Sequence, residues 1–141
     1  MPVQDQFCTF YLEGLFFGIE VHKVQEVLRH QSMTRVPTVD PVIGGLINLR
    51  GQIVTALDLR RRLGLPERTA SESPMNVVVR GEDGAVSLLV DEIGDVVEVE
   101  GETFESPPDT LAAEGRRFIV GVHKLKGQLL HVLNAEAVLA A

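Results

Sequence analysis

VIGGLINLRGQIVTALD (Val42–Asp58) reads as strand, tight turn, strand, and the pattern returns as FIVGVHKLKGQLLHVLN (Phe118–Asn134). The offset is constant at 127 − 51 = 76, so Gly45, Leu49, Gly51, Gln52 and Leu57 match Gly121, Leu125, Gly127, Gln128 and Leu133. Two copies make a duplicated module and not a solenoid, which needs about three or more stacked repeats. In each copy, Val, Ile and Leu lead into a cation-Gly turn and out again, the signature of a hairpin. Asp58 then precedes LRRRL and Asn134 precedes AEAVLA. Both are good helix N-caps, so each hairpin is expected to run into a short helix, the first stopped by Gly64 and Pro66.

Further out, Gln6–Leu12 and Leu15–Ile19 form a hairpin around Glu13-Gly14. Met75–Arg80 and Ala85–Val90 form another around residues 81–84. Val21-His22-Lys23-Val24 matches Val90-Asp91-Glu92-Ile93 at 90 − 21 = 69. After the first match, Val21, Val24, Val27 and Leu28 fall at helical spacing and predict a short amphipathic helix over Glu20–His30. After the second, Gly94 with Val96, Val97 and Val99 favours a strand. Each copy therefore supplies about five strands. The expected fold is mainly β: two five-stranded β-barrel subdomains with a few short helices, since closure removes exposed sheet edges. The chain 1–141 is one domain, with subdomains at about 15–80 and 81–141 and a polar linker at 65–74. Phe7–Leu12 is a strand that could exchange between them. Pro37 with Pro41, and Ser106-Pro107-Pro108, mark breaks.

The 141 residues are 45% hydrophobic, enough for a core, and contain no Trp. No apolar run is long enough to span a bilayer as a helix. MPVQDQF has neither a basic region nor an apolar stretch, so no signal peptide is expected. A soluble cytoplasmic protein is the expectation. Cys8 is the single cysteine and reads as a small buried thiol in an alternating strand. A net charge of −7 argues against nucleic-acid or anionic-membrane partners. Eleven acids and no Lys or Arg lie between Gly81 and Gly115, whereas Arg50 and Arg60-Arg61-Arg62 lie in the first half. These are either solvated faces or two poles of opposite charge.

Catalytic chemistry finds no foothold. His22, His30, His123 and His131 lack metal-ligand spacing, although the last two sit on the arms of one hairpin and could face each other. No phosphate-binding glycine loop, nucleophile elbow or paired acid and base stands out. The expectation is a binding module without metal or cofactor, not an enzyme. The copies differ at the repeated turn, Asn48-Leu49-Arg50-Gly51 against Lys124-Leu125-Lys126-Gly127. Arg offers a planar fork of donors that Lys lacks. Arg50 is thus either a partner contact or a solvated turn cation.

Gly18-Ile19 with Lys23-Val24-Gln25-Glu26, the block Asn48-Leu49-Arg50-Gly51 with Asp58-Leu59-Arg60, and Val90-Asp91 together resemble the CheW family of chemotaxis coupling proteins. The resemblance runs from about Phe7 to Leu139. It implies the two-barrel fold and an adaptor role, bridging a chemoreceptor's cytoplasmic tip to a CheA-type histidine kinase. The kinase's regulatory domain would share the fold, and CheW-like domains would alternate with it in rings. The receptor's helical hairpin would dock in the groove between subdomains. Carried over by position, the receptor surface includes Val24, Glu26, Gly45, Asn48 and Arg50, and Phe118 is a kinase contact. The membrane would be reached only through receptors. Phe17, Thr55-Ala56 and Asn134 depart from the family's usual residues without removing the binding motif. Two alternatives remain: a regulatory fragment of a kinase or two-domain coupling protein, and a small ligand-binding β-barrel. The initial Met and the lack of an ATP-binding or phospho-acceptor segment argue against the fragment.

Overall fold

The computed structural model describes residues 4–35, 40–69, 73–82, 84–100, 104–106 and 113–140. They form the strands β1 (Gln4–Leu12), β2 (Leu15–Glu20), β3 (Val24–Leu28), β4 (Met33–Thr34), β5 (Ile43–Leu49), β6 (Gln52–Asp58), β7 (Met75–Gly81), β8 (Gly84–Val90), β9 (Glu92–Glu100), β10 (Phe104–Glu105), β11 (Ile119–Leu125) and β12 (Gln128–Leu133). Short helices are α1 (Leu59–Arg62), α2 (Ala113–Arg116) and α3 (Ala135–Ala140). The strands form two six-stranded sheets, ordered β10-β11-β12-β2-β1-β9 and β4-β5-β6-β8-β7-β3. Each therefore has five longer strands and a two-residue strand at one edge, and neither ladder closes on itself.

Written this way, the two sheets are position-for-position equivalents. Phe10 pairs with Phe17 as Val79 pairs with Val86, an offset of 69 on both arms. His131 lies beside Phe17 in the parallel pair β12–β2 as Thr55 lies beside Val86 in β6–β8, offsets of 76 and 69. Bulges recur at Ile43/Gly45 and Ile119/Gly121. The duplication is reciprocal. The hairpin β1–β2 sits in the sheet built from β9–β12, and the hairpin β7–β8 sits in the sheet built from β3–β6. The chain crosses from one sheet to the other after β2, back at about residue 90 after β8, and its two halves interlock. The strand division thus differs from the boundaries 15–80 and 81–141. Leu15–Glu20 belongs with the later strands, and Gly84–Val90 with the earlier ones.

The packing follows from alternation. Phe10, Leu12, Phe17 and Ile19 of one sheet meet Leu57, Val77, Val79, Leu88 and Val90 of the other in a central core. Leu59 and Leu63 of the α1 region and Val138 of α3 cover its ends. Phe10 stacks on Phe17 at 6.0 Å between ring centroids. A second cluster, with Ile47, Leu49, Val54 and Val78, fills the concave side of one sheet. Phe7, Phe16, Val99 and Leu130 fill the other. The expected caps are present: Asp58 Oδ1 accepts from Arg60 N at 3.1 Å, and Asn134 Oδ1 from Ala137 N at 3.1 Å. Gly64, at φ 72, follows the end of α1.

One element differs in kind. The helix expected over Glu20–His30 is a single 3-10 turn, Val21–Lys23, followed by the strand β3. Val24, Glu26 and Leu28 are half-buried while Gln25 and Val27 are exposed, a period of two. The 3-10 turn and a bulge between Val24 and Glu26 together space the valines three apart and imitate a helix. Their β-branched side chains favour the strand. The supposed difference between copies at this point disappears, because β3 and β9 are equivalent strands. Cys8 is half-buried and not fully buried, and burial raises its thiol pKa, which leaves it a poor nucleophile. His123 and His131 do not face each other: their cross-strand partners are Leu130 and Val122. Pro37, Pro107 and Pro108 lie outside the described residues, as do residues 70–72 of the linker.

Candidate functional site

The turn between β5 and β6 is built from sequence chemistry. Leu49 pairs with Gln52, leaving a two-residue loop, Arg50-Gly51. Both take positive φ, 52° and 85°, the type I′ geometry that matches strand twist. Arg50 is one of two non-glycine residues with positive φ among those described. Asn48 Oδ1 accepts from Gly51 N at 2.9 Å and braces the turn. Arg50 then reaches the edge strand β3, where its Nη1 and Nη2 donate to Glu26 Oε2 and Oε1 at 2.6 and 2.7 Å. This fork-on-fork pair spans the mouth of the curled sheet, joining strands three places apart in its order. The Arg50 hydrogen bonds hold the Glu26 carboxyl below its usual pKa, and Glu26 in turn raises that of Arg50. Arg50 keeps 71% of its side chain exposed, so the outer face of the guanidinium is free to meet a partner.

The structure therefore brings Glu26, Asn48 and Arg50 together. Val24 lies close in sequence, but its side chain packs against the central core. Gly45 is buried, and a Cβ there would stand 2.5 Å from the Thr34 carbonyl oxygen and 2.7 Å from Met33 Cγ. Its place in the motif is set by the close approach of β4. Phe118 stands far from these residues in the chain and is 2% exposed. The guanidinium carbons of Arg117 and Arg62 lie 4.6 and 5.8 Å from its ring centre, so the surface above it is an arginine surface.

The blocks Asp58-Leu59-Arg60 and Val90-Asp91 meet in a half-buried ion cluster. Asp91 Oδ1 accepts from Arg60 Nε at 2.9 Å and Arg68 Nε at 3.0 Å. Its Oδ2 accepts from Arg60 Nη2 at 2.5 Å and Glu13 N at 2.8 Å. Arg68 also donates to Asp58 Oδ1 at 3.1 Å and to the Leu89 carbonyl at 3.0 Å. Burial pushes the Asp91 pKa up, but the hydrogen bonds and charges of Arg60, Glu13 N and Arg68 outweigh it and leave the carboxyl below its usual value. Arg60 is thus not part of a solvated basic face. Arg68, read from sequence as linker, is a buried member of the cluster. The only hint of it was two acids, Asp58 and Asp91, that need buried cations.

A groove of about 780 Å3 runs between Ile53 and Thr55 of β6, Arg80 and Val86 of the β7–β8 hairpin, and Glu136 and Leu139 of α3. Lys23 and Glu136 both line it, and Lys23 Nζ donates to Glu136 Oε1. Ile53, 65% exposed, brings the groove within three residues of Arg50. Among the described residues, no group of three or more His, Cys, Asp or Glu is placed to hold a metal.

Two interlocked, equivalent sheets with an open groove and one charged turn define a duplicated, mainly β domain. The pattern of the CheW-like domain matches residues 6–141, and the chain belongs to that family. It is 34% identical over 135 residues to chemotaxis protein CheW of Bacillus subtilis (strain 168), covering 96% of this chain and 86% of that one. It is 30% identical over 113 residues to protein PilI of Pseudomonas aeruginosa, covering 80% and 64%. A crystal structure of the scaffolding protein TtCheW from Thermoanaerobacter tengcongensis superposes with a TM-score of 0.84 at 26% identity, covering 100% of this chain and 94% of that one.

Proposed function

We propose that this protein is a non-enzymatic signalling adaptor that couples the cytoplasmic tips of chemoreceptors to a CheA-type histidine kinase. The match of residues 6–141 to the CheW-like family carries the reading, since the relatives are chemotaxis proteins and a scaffolding protein. The site supports it with physics. A receptor tip is an amphipathic helical hairpin, and such helices seat apolar side chains in a groove while polar groups at the rim fix orientation. Ile53, Val86 and Leu139 offer the apolar wall, and Arg50, held by Glu26 and beside Asn48, offers the rim. The kinase's regulatory domain, and other CheW-like domains in rings, would use the end faces of the sheets, the arginine-covered Phe118 region among them. The protein would work in the cytoplasm, recruited to receptor arrays. No described helix is long and apolar enough to cross a membrane.

The test is a titration of a receptor-tip hairpin against the protein and against Arg50→Ala, with Lys126→Ala at the equivalent turn as control. Arg50→Ala is expected to weaken tip binding about tenfold or more while circular dichroism stays unchanged. Lys126→Ala is expected to bind as the parent does. Unchanged affinity in Arg50→Ala would remove Arg50 from the interface. A parent that binds neither tip nor kinase would end the adaptor reading.

A further inference from the structure

The two halves differ at one equivalent position beside the groove. Arg80 near the end of β7 and Tyr11 near the end of β1 correspond, at 80 − 11 = 69, and Arg80 pairs with Ala85 as Tyr11 pairs with Phe16. Tyr11 packs its ring against Phe16 at 5.0 Å between centroids. Arg80 has only a methyl group opposite, and it extends instead to the segment where the chain crosses between sheets. There its Nη1 donates to the His22 carbonyl at 2.9 Å and, more weakly, to the Val24 carbonyl at 3.4 Å. Arg80 lines the groove together with Ile53, Val86 and Leu139. Among the described residues, its Nε and Nη2 meet no acceptor and it forms no ion pair. The other cations at the groove and its rim are committed. Lys23 donates to Glu136, and both Nη groups of Arg50 donate to Glu26. Glu82 also lines the groove and forms no ion pair with Arg80. What the open edge of Arg80 suits is shown by Arg60. Arg60 likewise donates from Nη1 to a carbonyl, that of Pro66 at 3.1 Å, and its Nε and Nη2 grip the two oxygens of Asp91 at 2.9 and 2.5 Å. Arg80 has the carbonyl half of this arrangement, and no carboxylate of the described residues supplies the other half.

We propose that Arg80 selects the helix that seats in the groove, by taking a carboxylate of that helix side-on through Nε and Nη2. That the occupant is a receptor tip rests on the reading above, and this proposal rests on it too. An amphipathic helix laid on Ile53, Val86 and Leu139 carries polar residues along the borders of its apolar stripe, and one of these meets Arg80. A guanidinium already held by main-chain carbonyls loses little freedom on binding, and its planar fork matches a carboxylate. A neutral or basic residue at the same place would cover Arg80 without a counter-charge, which disfavours that helix.

The test is a double-mutant cycle between the full chain and a receptor-tip hairpin whose acidic residues are replaced one at a time, Glu by Gln and Asp by Asn. Arg80→Gln removes the charge and retains an amide donor for the His22 and Val24 carbonyls. It is expected to weaken binding of the unaltered tip about 3–10-fold. Replacing one acidic residue of the tip is expected to cost the parent protein a similar factor and to cost Arg80→Gln nothing further. Arg80→Lys, a charge without the fork, is expected to recover only part of the loss. A purely structural Arg80, acting through β3 and Glu26, would weaken every tip variant by the same factor. That result overturns the proposal, as does the absence of any coupled position because Glu82 takes the guanidinium instead. Parent-like binding by Arg80→Lys overturns the side-on fork. A parent that binds no tip ends the adaptor reading and this proposal with it, whereas a parent that binds without coupling ends the proposal alone.

Discussion

The hairpins β5–β6 and β11–β12 share register and a bulge at the same place, and differ at their turns. Arg50 adopts a left-handed φ and pairs with Glu26, whereas at Lys126-Gly127 only the glycine takes positive φ. The counterpart of Glu26 is Asp95, at 95 − 26 = 69, and among the described residues Asp95 and Lys126 form no ion pair. A left-handed non-glycine residue costs on the order of 1 kcal/mol, so one copy carries a backbone cost that the other avoids. What the copies share, such as Gln52 with Gln128 and Leu57 with Leu133, maintains the sheet. Under the proposed function, what only one copy carries is where a partner would gain its selectivity.

The largest expected effect breaks the equivalence of the halves. In the described ladders, β3 pairs only with β7, and the β1–β2 hairpin pairs only with β9 and β12. Fragment 1–70 lacks four strands of one sheet and two of the other, and fragment 71–141 lacks the complementary two and four. Each is expected to be unfolded alone by circular dichroism, and the mixture is expected to regain strand signal and thermal cooperativity. A fragment that folds by itself would show that the exchange is dispensable. Next comes Asp91→Ala, which strands Arg60 and Arg68. The loss should be about 2–3 kcal/mol, below the ~3–5 kcal/mol of a fully buried pair because water reaches part of the cluster. The equivalent change His22→Ala, at an exposed side chain, should stay within about 0.5 kcal/mol. The native Asp91 pKa lies below its unfolded value of about 3.9, so its contribution is complete above that pH and is lost as pH falls through the native value. Urea midpoints of the parent should drop over that acid window, and Asp91→Ala should flatten the drop.

Gly45→Ala is expected to cost about 1–3 kcal/mol, because the added methyl meets the Thr34 carbonyl and Met33. Loss of partner binding in this variant would come through displacement of β4, visible as a lower urea midpoint. Weakened binding at an unchanged midpoint would instead make Gly45 a contact.

Much of this was open to the sequence. The turn residues Arg50-Gly51 and Lys126-Gly127, the caps Asp58 and Asn134, and the bias toward valine fixed strands, hairpins and short helices at nearly their observed limits. The strand partners were not open to it. A period of two says that a residue lies in a strand, but not which strand lies beside it, and equivalent hairpins fit either sheet equally well. The segment after Glu20 misled because a 3-10 turn and a bulge spaced Val21, Val24 and Val27 as a helix would. At the candidate site, the contrast between Arg50 and Lys126 singled out the turn at which Arg50 pairs with Glu26. That Glu26 faces Arg50 required the curl of the sheet, and Arg68 required knowing that Asp58 and Asp91 meet.

The finest contrast between the two turns is the brace beneath Arg50. Asn48 Oδ1 takes the Gly51 N–H, while Lys124, its equivalent, points to Glu105 at 3.1 Å in an exposed pair. Asn48→Ala removes one hydrogen bond at an exposed turn, so the expected loss is about 0.5–1 kcal/mol, read as a shift in urea midpoint at constant slope. Lys124→Ala removes only a surface ion pair and should shift stability by less than about 0.5 kcal/mol. The two variants should also part company in function. Without its brace the left-handed Arg50 is freer to leave Glu26, so Asn48→Ala should weaken tip binding by a few-fold while Lys124→Ala leaves it intact. Equal losses from both variants would mean that the brace does not distinguish the turns, and that Arg50 is held by Glu26 alone.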